Sequence, residues 1–141
     1  MKGGVKMSSF KVVRKQFLTA PRYTLSFRDR LYLSASACSF LGIPIYVKLS
    51  YDKANRTVAI RKASVDEALL ERKNSPNPCS IIGSVGSDHR IAGVFELRRL
   101  IQTDIKIYQH FMVSGTQQED ALIFDLEQSV VFNDGPSRLR A

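Results

Sequence analysis

The first half of the chain contains stretches in which apolar and polar residues alternate. Tyr23–Arg28 alternates, and Leu31–Leu33 continues the apolar pattern beyond the charged pair Asp29-Arg30. Tyr46–Tyr51 and Thr57–Arg61 also alternate, and the residues between them are typical of a turn. A period of two is the pattern of a half-buried strand, so the sequence predicts two strands and a later β-hairpin.

A short helix is predicted between these strands. Ser34 can accept hydrogen bonds from the free amides of a first helical turn, which Ala35–Leu41 continues. Gly42 follows, where many helices end in a left-handed residue that glycine adopts without strain. Residues 21–63 are therefore predicted to form one β–α–ββ unit.

This unit resembles the DNA-binding module of the AbrB/MazE/SpoVT swapped-hairpin family. That family has a strand, a turn ending in Gly-Arg, an apolar strand, a short helix closed by Leu-Gly-Ile, and a hairpin. The matching segments here are Arg30–Leu33, Leu41-Gly42-Ile43 and Tyr46–Ile60, with Asp29 in place of the family's Gly. The resemblance implies a barrel-like fold in which two units exchange hairpins, and it implies DNA binding.

The second half repeats the order of these elements in residues 80–128. Asp88–Ile91 resembles Arg28–Leu31, so that Leu31 maps to Ile91 and Leu41 maps to Ile101 without a gap. The pattern predicts a strand over Ile81–Val85, a helix over Val94–Ile101, a strand over Lys106–Val113, a polar loop over Ser114–Asp120 and a strand over Ala121–Leu126.

Two such units predict a β-rich α+β fold, in which tandem β–α–ββ units form a swapped-hairpin-like barrel or an internal pseudo-dimer. The other interpretation is that only the first unit is such a module and the second half is an unrelated α+β region. A single copy is too small to bury a core alone, which favours the pseudo-dimer.

A helix and a Pro-containing linker, residues 64–79, are predicted to join the units. Ser64 and Glu67 have the spacing of a capping box, and the helix continues to Lys73. Pro76 and Pro78 cannot extend it, because each lacks an amide hydrogen and restricts the residue before it. Residues 129–141 are predicted to form a C-terminal tail.

The positive charge lies mainly in the first half of the chain. The whole chain of 141 residues carries +8, and residues 1–73 hold fifteen Lys or Arg against five Asp or Glu, a balance of +10. A field of this sign attracts nucleic acid or an acidic protein surface, although it also serves solubility. Residues 1–20 form a basic N-terminal arm, which either follows a phosphate backbone or is a solvated tail.

Motifs that would indicate catalysis are missing from the sequence. It contains no Gly-rich phosphate loop, no Gly-x-Ser-x-Gly elbow and no His-Glu-x-x-His helix, and its His and Cys spacings match no zinc site. The sequence thus predicts no enzyme, no cofactor and no metal, and free thiols at Cys38 and Cys79. No apolar run reaches the ~18–20 residues that span a bilayer, so a cytoplasmic protein without membrane attachment is expected.

Two function classes remain. The first is a DNA-binding transcriptional regulator of AbrB-like type that binds double-stranded DNA. The second is a small basic inhibitor or sequestering protein of phage type that binds an acidic host protein, and either is compatible with a homodimer. Arginine pairs bidentately with guanine and with phosphate. The residues expected to contact nucleic acid are Lys15, Arg22, Arg28, Arg30, Arg90, Arg98 and Arg99.

Overall fold

Buried and exposed side chains alternate along the strands, as the sequence pattern predicts. In Tyr46–Asp52, for example, Val47, Leu49 and Tyr51 are buried between less buried neighbours. A computed structural model of the protein describes residues 22–73, 77 and 79–131. Lys15, the predicted basic arm and the greater part of the predicted tail lie outside the described residues.

The helices and strands follow the predicted order in both halves of the chain. The first half contains β1 (Tyr23–Phe27), β2 (Leu31–Leu33), α1 (Ala35–Phe40), β3 (Tyr46–Asp52), β4 (Thr57–Ala63) and α2 (Val65–Lys73). The second half contains β5 (Ser80–Val85), β6 (Arg90–Ala92), α3 (Phe95–Ile105), β7 (Phe111–Gln118), β8 (Ala121–Asp125), a 3-10 turn (Leu126–Gln128) and β9 (Val130–Val131). None of the helices in these described segments is long and apolar enough to cross a membrane.

Strands β1 to β8 close into an antiparallel barrel, in the order β7-β1-β2-β6-β5-β3-β4-β8. The ring closes because β7 pairs with β1 through residues 111–115 and with β8 through residues 115–118. The short strand β9 adds to β7 beside Phe111 and Met112. The prediction of a β-rich α+β fold containing a barrel is confirmed.

Strand pairs from the two halves alternate around this barrel. The pair β1–β2 is followed by β6–β5 from the second half, then by β3–β4 from the first half and β8–β7 from the second. Among the described strands, the two pairs of each half are therefore bonded to pairs of the other half and not to each other. Each half depends on the other for a continuous sheet.

The barrel interior is filled by aromatic and aliphatic side chains from both halves. Phe27, Phe111 and Phe124 are the largest fully buried residues. Phe27 and Phe111 lie directly opposite each other in β1 and β7, and their rings stack with centroids 4.2 Å apart and planes 12° apart. The helices add Ala37 from α1, and Leu97 and Ile101 from α3.

At two strand positions the neighbouring side chains are packed so closely that only glycine fits. A Cβ atom at Gly115 in β7 would lie 2.5 Å from the ring of Phe124. A Cβ atom at Gly83 in β5 would lie 2.7 Å from side-chain atoms of both Ile91 and Val94. Real Cβ atoms do not approach other carbons so closely, so these glycines let large neighbouring side chains fill the core.

The helix ends use the capping residues that the sequence predicts. The amide of Ala37 donates to Oγ of Ser34 (3.3 Å) at the start of α1, and Gly42 follows the helix with a left-handed φ of 81°. At the start of α2, the amide of Ser64 donates to Oε1 of Glu67 (3.0 Å), and the amide of Glu67 donates to Oγ of Ser64 (3.1 Å). The predicted capping box is thus confirmed.

A hydrogen bond from the barrel interior holds the C-terminal part of α3. The hydroxyl of Tyr51 in β3 donates to the carboxylate of Asp104. Burial, and then this hydrogen bond, raise the pKa of Tyr51 far above its usual range, so the hydroxyl stays protonated and remains a donor.

The first strand of the second hairpin begins and ends later than the sequence predicts. The predicted strand over Lys106–Val113 is wrong in its first part, because α3 continues to Ile105, Lys106 ends it in a left-handed conformation and β7 begins at Phe111. The predicted loop over Ser114–Asp120 is wrong up to Gln118, because these polar residues pair with β1 and β8 to close the barrel. His110 therefore precedes β7. The C-terminal ends of α1 and α3 do not correspond, because α1 ends at Phe40 and α3 continues to Ile105.

Acid should weaken the attachment of α2 to β4. Nη2 of Arg61 donates to Oε2 of Glu67 at 2.7 Å, which lowers the pKa of Glu67 from about 4.5 to about 2. The pair stabilises the fold above the ordinary pKa, and this contribution is lost as the pH falls towards 2. Both side chains are about 39% exposed, so we expect Glu67→Gln to cost only about 0.5–1 kcal/mol at pH 7. In urea titrations the free energies of unfolding of the variant and the wild type should converge as the pH falls. A difference that stays constant with pH would contradict this.

Candidate nucleic-acid interface

The seam between β2 and β6 brings the arginines of the two halves together. Leu31 pairs with Ile91 across this seam, and both side chains point into the barrel. Because successive side chains of a strand point to opposite faces, Arg30 and Arg90, each next to one of these residues, lie on the outer surface. Both arginines are exposed.

Arg30, Arg90 and Arg98 line one depression of about 170 Å³, which we call the arginine pocket. Apolar residues on both sides of the seam also line it. The apolar lining residues are Leu31, Ile91, Ala92, Val94 and Phe95. The pocket is thus lined by three arginines together with apolar residues.

Tight bends place Arg30 and Arg90 at the starts of their strands. In the first bend the amide of Arg28 donates to the carbonyl of Arg30 (2.9 Å). In the second, the amide of Arg90 donates to Oδ1 of Asp88 (3.1 Å), and His89 has a left-handed φ of 68°. Aspartate favours such turns because its side chain can bond to nearby backbone amides. His89 lies on a turn beside Arg90.

Arg98 reaches the pocket from α3. Its side chain is partly buried, and Nη1 donates to the carbonyl oxygen of Arg28 (3.4 Å) and to Oε1 of Gln102 (3.4 Å). The bond to Arg28 joins the helix of the second half to the bend of the first. It helps to orient the guanidinium group of Arg98, a residue that lines the pocket.

Phe95 stands at the edge of the pocket and is 57% exposed. The guanidinium carbons of Arg98 and Arg99 lie 5.4 and 5.7 Å from the centroid of its ring. These are distances at which a cation is attracted to an aromatic face. Arg99 also pairs with Glu96 at 3.4 Å, in an exposed pair that contributes little to stability.

The three arginines of the pocket form no ion pair with a carboxylate of the described residues. In residues 22–73, 77 and 79–131 the ion pairs are Arg61–Glu67 and Arg99–Glu96, and neither includes Arg30, Arg90 or Arg98. The nearby carboxylate of Asp29 accepts a hydrogen bond from the hydroxyl of Tyr32 (3.3 Å). Three guanidinium groups around one depression repel each other, and a bound anion would relieve that repulsion.

The other predicted contact residues lie in different places. Arg28 is exposed at the first bend, and Arg99 is exposed on α3 beside Phe95. Arg22 precedes β1, whose five residues separate it from Arg28 by roughly 20 Å. Its carbonyl oxygen accepts hydrogen bonds from the hydroxyls of Ser34 and Ser36. Arg22 therefore does not join the arginine pocket.

Phe95 was not among the predicted contact residues, although the sequence carries a signal for it. The buried residues Val94, Leu97 and Ile101 have the spacing of one helical face. Phe95 is next to that face and not on it, so a large aromatic side chain at this position has no place in the core.

Other potentially reactive groups in the described part of the chain are its carboxylates, histidines and thiols. No three His, Cys, Asp or Glu side chains there are close enough together to hold a metal ion. Cys38 and Cys79 are free thiols, as predicted, and burial raises the pKa of Cys38, which keeps it in the unreactive thiol form.

Comparison with known proteins adds no relative: no family model, curated protein or solved structure matches this chain.

Proposed function

We propose that the protein is a DNA-binding transcriptional regulator that binds double-stranded DNA through the arginine pocket and the adjoining Arg28 and Arg99. The observation that carries this proposal is the convergence of Arg30, Arg90 and Arg98 on one depression without a carboxylate partner among the described residues. Arginine forms bidentate hydrogen bonds with phosphate and with guanine. The net charge of +8 adds a long-range attraction for DNA.

We further propose that the barrel is an internal pseudo-dimer of swapped-hairpin type. The pairing of β1 with β7 has its counterpart in the pairing of β5 with β3. β2 pairs with its own counterpart β6, and the residues paired there, Leu31 and Ile91, are those that correspond in sequence. β4 likewise pairs with its counterpart β8. These relations support a two-fold axis through the β2–β6 seam, as expected for an AbrB-like arrangement.

An axis at this seam would explain why the arginines meet there. Arg30 and Arg90 occupy corresponding positions, so the axis would place one on each side of a bound duplex segment. Arg98 and Arg99 have no basic counterpart, because Cys38 and Ser39 occupy the corresponding positions of α1. The two halves would therefore contribute unequally, and the DNA contact would be stronger on the α3 side.

The proposal is tested by Arg30→Ala together with Arg90→Ala. We expect the affinity for a short fluorescent duplex to fall at least about 10-fold, because each arginine contact with DNA is worth about 1–3 kcal/mol. The plot of log affinity against log salt concentration should become less steep by about two units, since about two phosphate contacts are lost. Anisotropy titrations at several salt concentrations measure both quantities.

Lys53→Ala together with Arg56→Ala is the matched control, because it removes the same charge from the turn between β3 and β4. That turn follows the end of β3 that pairs with Ser80, whereas β6 pairs with the opposite end of β5 at Val85. The control should change the salt slope little. Absence of DNA binding by the wild type, or equal effects of the two double variants, would remove the proposal and favour an acidic protein as the partner.

A further inference from the structure

The exposed ring of Phe95 points to a more specific ligand than a regular duplex. Phe95 is 57% exposed at the first position of α3, and the core contacts of that helix are made by Leu97 and Ile101. A single exposed apolar side chain is common on protein surfaces. This one, however, lines the arginine pocket, and the guanidinium carbons of Arg98 and Arg99 lie 5.4 and 5.7 Å from the centroid of its ring, which is still largely open to solvent.

An aromatic ring can use its face on DNA only where a base face is accessible. In a regular duplex the base faces are covered by the neighbouring base pairs, and only edges, sugars and phosphates are exposed. A base that has left the stack offers its face, and stacking on an aromatic side chain is then worth about 1–3 kcal/mol. Proteins that bind such bases commonly combine an aromatic platform with a cationic groove for the backbone.

We propose that Phe95 stacks on an unpaired nucleobase in duplex DNA, while the arginine pocket holds a phosphate next to it. This inference rests on the proposed DNA binding and adds a preference to it: a duplex that contains an unpaired nucleotide is bound more tightly than the same duplex without one.

Arg98 connects the two parts of the proposed site. Arg98 lines the pocket, and its guanidinium carbon lies 5.4 Å from the centroid of the Phe95 ring. The hydrogen bond from Nη1 to the carbonyl of Arg28 (3.4 Å) limits its movement. Phosphate and base of one bulged nucleotide would therefore meet groups that are already held side by side, which reduces the ordering cost of binding.

The test compares two ligands, a short duplex and the same duplex with one extra unpaired adenine in the middle. We expect the wild type to bind the bulged duplex at least about 5-fold more tightly, which is the lower end of the stacking contribution. Phe95→Leu, which keeps an apolar side chain and removes the ring, should bring the ratio of the two affinities close to one. Phe95→Tyr should keep the preference. Melting curves of the Phe95→Leu and Phe95→Tyr variants check that both fold.

The outcomes separate this inference from the proposed function. Equal binding of both ligands by the wild type would overturn the stacking role and leave duplex binding in place. A Phe95→Leu variant that loses affinity for both ligands by the same factor would also overturn it, because the ring would then act only by positioning the arginines. If the wild type bound neither ligand, the proposed function itself would fail.

Discussion

Phe27→Ala is expected to lower the free energy of unfolding by about 3–5 kcal/mol, the usual cost of removing a buried phenylalanine ring. Phe27 is fully buried, and its ring stacks on Phe111 directly across the β1–β7 ladder. That ladder joins a strand of the first half to a strand of the second. The substitution would leave a cavity at a closure of the barrel, where two separate parts of the chain must hold together.

Urea unfolding followed by circular dichroism measures this effect. Phe95→Ala is the matched control, because it makes the same change at a side chain that is 57% exposed. We expect the control to cost about 1 kcal/mol or less, since little apolar surface returns to water. Equal losses for the two variants would mean that Phe27 is not a core residue, and would contradict the packing between β1 and β7.

The local structure of the first half could be predicted from the sequence because each signal there has a local physical cause. Ser34 and Gly42 mark the ends of α1, and the Ser64–Glu67 pair marks the start of α2, through hydrogen bonds and backbone angles within a few residues. The alternation in β3 and β4 follows from their having one face towards the core and one towards solvent.

The second hairpin shows where such reasoning fails. Ser114–Gln118 is polar and contains a glycine, so its composition favours a loop, yet it forms ladders with β1 and β8. Gly115 is used because the ring of Phe124 occupies the space that a side chain would need. Barrel closure depends on residues distant in sequence, and such tertiary contacts override local propensity.

The candidate site was predictable from the sequence only in part. The likeness of Asp88–Ile91 to Arg28–Leu31 indicates that Arg30 and Arg90 are corresponding residues, and the seam brings them together. The contact between Arg98 and the carbonyl of Arg28 joins residues seventy positions apart and depends on how α3 packs. No local pattern of residues predicts this contact. No local pattern predicts either that Arg22 lies away from the arginine pocket.

Cutting the chain between residues 75 and 76 is expected to abolish folding of each half as a monomer. The β1–β2 and β3–β4 pairs are not neighbours in the barrel, because β6–β5 separates them on one side and β8–β7 on the other. An isolated first half would therefore hold two separate hairpins, each with unpaired edges, and two-stranded hairpins are marginal in water. The second half has the same difficulty. Mixed in equal amounts, the halves should regain a barrel, with the interface contributing most of its stability.

Far-UV circular dichroism, amide NMR dispersion and sedimentation equilibrium of each half and of their mixture test this expectation. The uncut chain, measured under the same conditions, is the control. A mixture that shows the dispersed spectrum and cooperative unfolding of the uncut chain would support interleaved halves. A folded homodimer of one half would also support the pseudo-dimer proposal, since one unit would then replace its counterpart across the two-fold axis. A half that unfolds cooperatively as a monomer would contradict it, because the alternating strand order leaves neither half a continuous sheet of its own.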